Sequence, residues 1–365
     1  MKLSEIEQRL VAWYLTSNIP KGPAFYLMSP PGRGKTSVLE RLPEVLEEAF
    51  PGQRYGVAIL NGACFTLSTA TGYLWPEEQE GIRYSRFTRP DWWCKTQTGE
   101  PLEAFDGGVI VIDEEDKLGP DEKKIMGEAA LSKRVASHDL PPGWVVWFAG
   151  NSAKDRSGST KDYDHLISRR NKIEVDDDLA SLVAWMKRND CLMETIVFAE
   201  EHPEIVFSPM PEKQGPWMTP RSLVAADTHL QALMAAFNTT KVPTDHLTME
   251  EIGGGVGEGA AAALFATIRL GQELPAYEVI VAKPRTVPVP ERTDAMMMAV
   301  YKLAARVSKV DASAVITYVK RLKDEFAVPF VAAATARDPS LILTPAFRDW
   351  CSENSALVAL LQTLK

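Results

Sequence analysis

Residues 24–36 read Ala24-Phe25-Tyr26-Leu27-Met28-Ser29-Pro30-Pro31-Gly32-Arg33-Gly34-Lys35-Thr36. Five apolar residues in a row predict a short strand buried on both faces. Pro30-Pro31-Gly32 cannot continue it, and a helical pattern resumes at Thr36 and runs to about Phe50. Between them, Ser29 to Thr36 fits the phosphate-loop pattern G-x-x-x-x-G-K-[ST] at every fixed position but the first, where small Ser29 stands for glycine. The spacing has a chemical reason. A strand delivers a tight loop whose backbone N–H groups point at phosphate oxygens, and the following helix adds its positive dipole end. Gly32 and Gly34 allow close backbone approach, Lys35 reaches the β- and γ-phosphates, and Thr36 ligates Mg²⁺. The nucleotide-contacting run is Ser29, Pro30, Pro31, Gly32, Arg33, Gly34, Lys35, Thr36 and Ser37. The alternative is a chance glycine turn before a helix.

Residues flanking this stretch repeat its pattern. Residues 3–15 place Leu3, Ile6, Leu10, Val11 and Tyr14 at helical spacing, and Asn18-Ile19-Pro20 ends that helix. Further buried strands are expected at Tyr55–Leu60, Val109–Ile112 and Trp144–Ala149. Continuous apolar strands alternating with helices indicate a parallel sheet covered on both faces, so residues 1–178 are expected to form an α/β core. After Asp176-Asp177-Asp178 the pattern turns helical, near 179–201, 221–237, 249–270, 293–308, 311–326 and 344–364. Pro275 to Pro290 reads as an extended, proline-rich stretch around Val279-Ile280-Val281. Residues 179–365 are therefore expected to be a mostly helical second part, with a possible subdivision near 245–275.

Composition narrows the functional classes. The chain has 365 residues, 45% apolar and 24% charged, which suits a folded protein of two or three domains. No stretch approaches 18 uninterrupted apolar residues, and the N-terminus lacks the apolar core of a signal peptide; no membrane partner is expected. Cys64, Cys94, Cys191 and Cys351 lie far apart, against a thiolate zinc site and in keeping with a reducing cytoplasm. The net charge is −9, and residues 246–365 carry 13 charges of each sign, so the first 245 residues hold the whole acidic excess. Nucleic acid is not attracted by such an overall field; binding it needs a local basic patch.

The second chemical signal is Val109-Ile110-Val111-Ile112-Asp113-Glu114. A buried strand ending in two carboxylates is where a phosphate-loop enzyme holds Mg²⁺ and its attacking water. Asp113 is the metal candidate and Glu114 the residue that polarises water. Glu115 and Asp116 extend the acidic run and could be misread as the catalytic acid, but the strand register favours Glu114.

Three further segments follow in order. The fourth strand ends in Gly150-Asn151; then come Leu166-Ile167-Ser168-Arg169-Arg170-Asn171-Lys172-Ile173-Glu174-Val175 and Trp217-Met218-Thr219-Pro220-Arg221-Ser222-Leu223. With the phosphate loop and the acidic strand, this series resembles AAA+ ATPases. Asn151 looks like the sensor-1 residue, Arg169-Arg170 like the arginine finger, and Arg221 like the sensor-2 arginine that opens a lid helix. More narrowly the chain is similar to the MoxR-like branch of bacterial or phage type. Asn61-Gly62-Ala63-Cys64-Phe65, Thr71-Gly72-Tyr73-Leu74-Trp75-Pro76, Gly107-Gly108 and Pro142-Gly143-Trp144 echo it. The likeness covers about residues 20–230. It implies an AAA+ core followed by a helical lid and a C-terminal helical region. It also implies Mg²⁺-dependent ATP hydrolysis in a homo-oligomeric ring, a hexamer, that remodels a client protein. Lys35, Asp113 and Arg221 would act in cis, and the finger on the neighbouring subunit. The family has one arginine before an aromatic; counting back from Ile173-Glu174-Val175 favours Arg169 over Arg170.

Gly81 to Trp93 alternates arginines with aromatics, a mixture able to stack on single-stranded bases or grip a polypeptide. The family places a pore-facing loop there; the other reading is a packed insert. Two alternative functions follow: a DNA-directed AAA+ ATPase, such as a replication helper or helicase loader, and a nucleotide-switched scaffold that hydrolyses little.

Overall fold

In the computed structural model, which describes residues 1–151 and 170–353, the chain divides into two compact units, Met1–Ser181 and Leu182–Lys365. The strands are β1 (Ala24–Met28), β2 (Tyr55–Asn61), β3 (Leu74–Gln79), β4 (Ile82–Phe87), β5 (Gly107–Asp113), β6 (Arg134–Val135), β7 (His138–Asp139), β8 (Trp144–Gly150) and β9 (Arg170–Glu174). Five of them form one parallel sheet in the order β2-β5-β8-β1-β9. β3–β4 and β6–β7 are separate antiparallel hairpins.

The apolar runs do not alternate because both faces of the sheet are covered. Ile110, Ile112, Val146 and Phe148 pack on one side with Trp92, Trp93 and Met126. Val109, Val111, Val145 and Trp147 pack on the other with Ile6, Leu10, Leu39 and Leu42. The α/β core expected from the sequence is therefore present, as a helix-flanked parallel sheet. Register places the strand ends side by side: Asn61 lies opposite Asp113, Ile112 opposite Phe148, and Met28 opposite Gly150. Because β8 lies between β5 and β1, its last residues separate the acidic strand end from the phosphate loop.

The second unit is helical, with helices at Leu179–Arg188, Met193–Glu201, Pro220–Ala236, His246–Val256, Glu258–Glu273 and Thr293–Arg306 among others. Its last part encloses a core of Leu303, Val315, Tyr318, Phe330 and Phe347. Several boundaries differ from the sequence expectation. The helix expected over 179–201 is broken at 189–192, where Asp190 takes a left-handed backbone (φ 51°) and the Asp227 carboxylate accepts the Leu192 N–H. The helix expected over 249–270 is split at Gly257, φ 90°. The stretch expected to be extended contains a helix, Tyr277–Ala282, because Ile280 turns into the core and packing overrides its β-branched preference. Ala327–Arg337 is a helix that the sequence pattern did not reveal. Among the described residues no helix is long and apolar enough to cross a membrane.

Candidate nucleotide site

The phosphate loop leaves β1 at Ser29 and enters a helix at Lys35, with Gly34 (φ 84°) as the residue before the first helical turn. That left-handed backbone suits glycine, and a Cβ there would also meet Leu3 Cδ1 at 2.9 Å. Lys35 is buried. Its ammonium donates to Ser29 O at 2.9 Å, Ser29 Oγ at 3.0 Å, Pro30 O at 3.2 Å and Asn151 Oδ1 at 3.2 Å. Thr36 Oγ1 donates to Asp113 Oδ2 at 2.7 Å. Side chains that follow β1 and β8 and one that ends β5 thus converge at the C-terminal ends of the central strands: Lys35 with Asn151, and Thr36 with Asp113. Ser37 is exposed on the helix that follows.

Arg33, at a variable position of the loop, is buried and paired through Nε with Asp177 Oδ1 at 3.1 Å. Burial pushes the Asp177 carboxyl up, while Arg33 beside it pulls the other way. The phosphate loop is thereby tied to the segment following β9.

The three acidic residues after Asp113 have separate surroundings. Glu114 is half-buried in a left-handed backbone, φ 52° and ψ 39°. Its N–H donates to Asp113 Oδ1 at 2.9 Å. Glu115 is enclosed, its carboxylate 2.7 Å from Arg170 Nη1 and 3.7 Å from Lys123 Nζ. Asp116, also buried, accepts the Asn151 N–H on Oδ1 at 2.8 Å. Sequence reasoning missed this role of Asp116; the one signal was a third carboxylate in the run, read there as an ambiguity of register.

Arg170 starts β9 with its guanidinium 5.0 Å over the Tyr26 ring and 5.1 Å over the Phe148 ring, within its own sheet. Arg169 lies outside the described residues. Arg221 belongs to the second unit, exposed in the first turn of Pro220–Ala236, where Thr219 caps the helix by accepting the Ser222 N–H.

The arginine-aromatic segment divides in two. Trp92 and Trp93 are core residues, their indole N–H groups donating to Ala70 O and to the Glu103 carboxylate. The β3–β4 hairpin instead projects its side chains into solvent, with Trp75 63% and Ile82 68% exposed. Its arginines have acidic partners: Arg83 with Glu78 at 3.0 Å and Arg86 with Glu77 at 4.0 Å. Arg89, beyond the hairpin, pairs with Glu103 at 2.7 Å.

No family model matches the sequence, and no curated protein matches it. Among solved structures the chain is similar to the RuvB Holliday junction branch migration motor of Thermotoga maritima, at 13% identity over 92% of this chain and 87% of that one, TM-score 0.39. It is also similar to NtrX from Brucella abortus, at 13% identity over 89% of this chain and 67% of that one, TM-score 0.38. Those are likenesses of fold. The chain itself carries a phosphate loop on a five-stranded parallel sheet with an acidic strand two places away.

Proposed function

We propose that the chain is a Mg²⁺-dependent ATPase of the AAA+ class, MoxR-like, that works as a hexameric ring and remodels a protein partner. The observation that carries this reading is the convergence of Lys35, Thr36, Asp113 and Asn151 at adjacent strand ends. Hydroxyl and carboxylate oxygens are the donors Mg²⁺ takes, so Thr36 and Asp113 fit as its protein ligands. Bound there, the ion would spread charge over the transferring phosphoryl oxygens. Lys35 already points its donors at four oxygens of the loop and of Asn151, so phosphate oxygens can replace acceptors it now holds. Glu114 is the base that takes a proton from the attacking water, and Asn151 positions that water. Arg221, by the AAA+ resemblance, is assigned the sensor-2 role on the lid helix.

Arg169 is the finger for the neighbouring subunit. The Arg170 guanidinium is engaged with Glu115 and two rings of its own chain, which supports Arg169 over its neighbour. A protein client is favoured over nucleic acid because the β3–β4 arginines are paired with glutamates and the hairpin also exposes Leu74, Trp75 and Ile82. Four free cysteines, two of them exposed, suit a reducing cytoplasm.

Phosphate release from Mg-ATP by the purified chain tests the reading, with calorimetry of ATP on Lys35→Ala beside it. Lys35→Ala should lose tight ATP binding because the charge meeting the β- and γ-phosphates is gone. Undiminished affinity in that variant sinks the phosphate-loop assignment. A steep salt dependence of DNA binding would favour the DNA-directed alternative.

A further inference from the structure

We propose that Glu115 and Arg170 are a positioning pair that holds Glu114 in the backbone conformation its task requires; this rests on Glu114 being the base. Glu114 has a left-handed backbone, which a non-glycine residue keeps only when its surroundings hold it there. Asp113 Oδ1 accepts its N–H at 2.9 Å, and its carbonyl accepts the Lys117 N–H at 2.8 Å. Gly62 lies against that carbonyl so closely that a Cβ would come within 2.6 Å of it. These contacts restrain the peptide from one side. On the other, Glu115 is drawn into the protein by Arg170 at 2.7 Å and Lys123 at 3.7 Å, with all three side chains no more than 4% exposed.

Two features argue that the pair serves position rather than stability. A buried ion pair adds little net stability over apolar residues of similar size, because desolvation offsets the attraction. And the Arg170 plane is held against Tyr26 and Phe148, from β1 and β8, the strands that lead to the phosphate loop and to Asn151. Glu115 is thus fixed to the same strands that fix Lys35 and Asn151. With Asp113 behind it and Glu115 anchored ahead of it, Glu114 has little freedom to turn.

The test is a double-mutant cycle on turnover and ATP affinity with Glu115→Gln, Arg170→Gln and the double variant. Each single change should lower kcat by roughly ten- to a hundredfold, the scale on which misplacing a reacting group acts. ATP affinity should stay within about twofold, and the double variant should be no worse than the poorer single one, as for residues acting as a unit. Arg170→Lys, which keeps the charge, should recover part of the loss. Should a single variant fail to fold, Glu115→Leu, Arg170→Met and Lys123→Met together remove the carboxylate and both cations that face it. That variant should fold and bind ATP but turn over slowly; full turnover overturns the proposal. Multiplicative losses in the cycle overturn it too. So does rescue of Arg170→Gln by mixing with Lys35→Ala subunits, which would make Arg170 a finger in trans. Glu114→Gln, measured alongside, separates the two layers: if it leaves turnover intact the base assignment fails. If it abolishes turnover while the pair variants do not, only the pair's role fails.

Discussion

Glu114 and Lys35 sit a few residues from neighbours that share their chemistry, and surroundings separate the roles. Of the three acids after Asp113, Glu115 and Asp116 are buried and engaged, by Arg170 and by the Asn151 N–H, while Glu114 is half-buried at the strand end. Glu114→Gln keeps the shape and leaves Asp113 and Thr36 their contact, but it cannot take a proton from water. ATP binding should survive in this variant while turnover falls by roughly a hundredfold or more, measured as phosphate release at saturating ATP.

β4 of the β3–β4 hairpin and the tryptophans of the short helical turn at Asp91–Cys94 come from one arginine-aromatic stretch, yet they contribute in different ways. Trp92 and Trp93 fill the core beneath one face of the sheet. Trp92→Ala should therefore cost about 3–5 kcal/mol of stability, the range for emptying a buried aromatic site. The hairpin packs little of itself away, so replacing residues 75–86 with a short Gly-Ser turn should shift the unfolding midpoint by only a few degrees and leave ATP affinity unchanged. Thermal unfolding and calorimetry of the two variants check both statements. A hairpin deletion that unfolds the core would mean this element is structural, and the client surface would have to be sought elsewhere. Its base is tied to the rest of the unit through Phe87, whose N–H donates to Ser137 Oγ at 3.0 Å and whose carbonyl meets His138 Nε2 at 2.6 Å.

The proposed sharing of catalysis between copies of the chain would be a property of the assembly. A guanidinium placed against the γ-phosphate stabilises charge that develops during transfer, and comparable fingers contribute on the order of a thousandfold in rate. Arg169→Ala should bind ATP normally and hydrolyse it poorly. Lys35→Ala cannot hold nucleotide but keeps its finger, so mixing the two should restore part of the activity through mixed rings. Assays across several mixing ratios, with subunit exchange verified, are the check. Activity that stays at the level of the separate variants removes the shared site.

What the amino-acid order by itself determined was the set of local devices. Strand, glycine loop, Lys35-Thr36 and helix are contiguous, and non-alternating strands announce a sheet buried on both faces, since each signal is made by neighbours in the chain. Tertiary structure alone decided the rest. The contact of Thr36 with Asp113 depends on the sheet order, because β8 lies between the strands that carry them. Whether Trp75 or Trp92 is core depends on which segment reaches the sheet, which the residue type alone does not show. Helix Tyr277–Ala282 forms because Ile280 finds a core supplied by residues well beyond it in sequence. The sorting of Glu114, Glu115 and Asp116 follows from Arg170, which lies 55 residues from Glu115 along the chain and 2.7 Å away in space. These particular burials and charge pairings are set by distant partners, and no local pattern of residues encodes them.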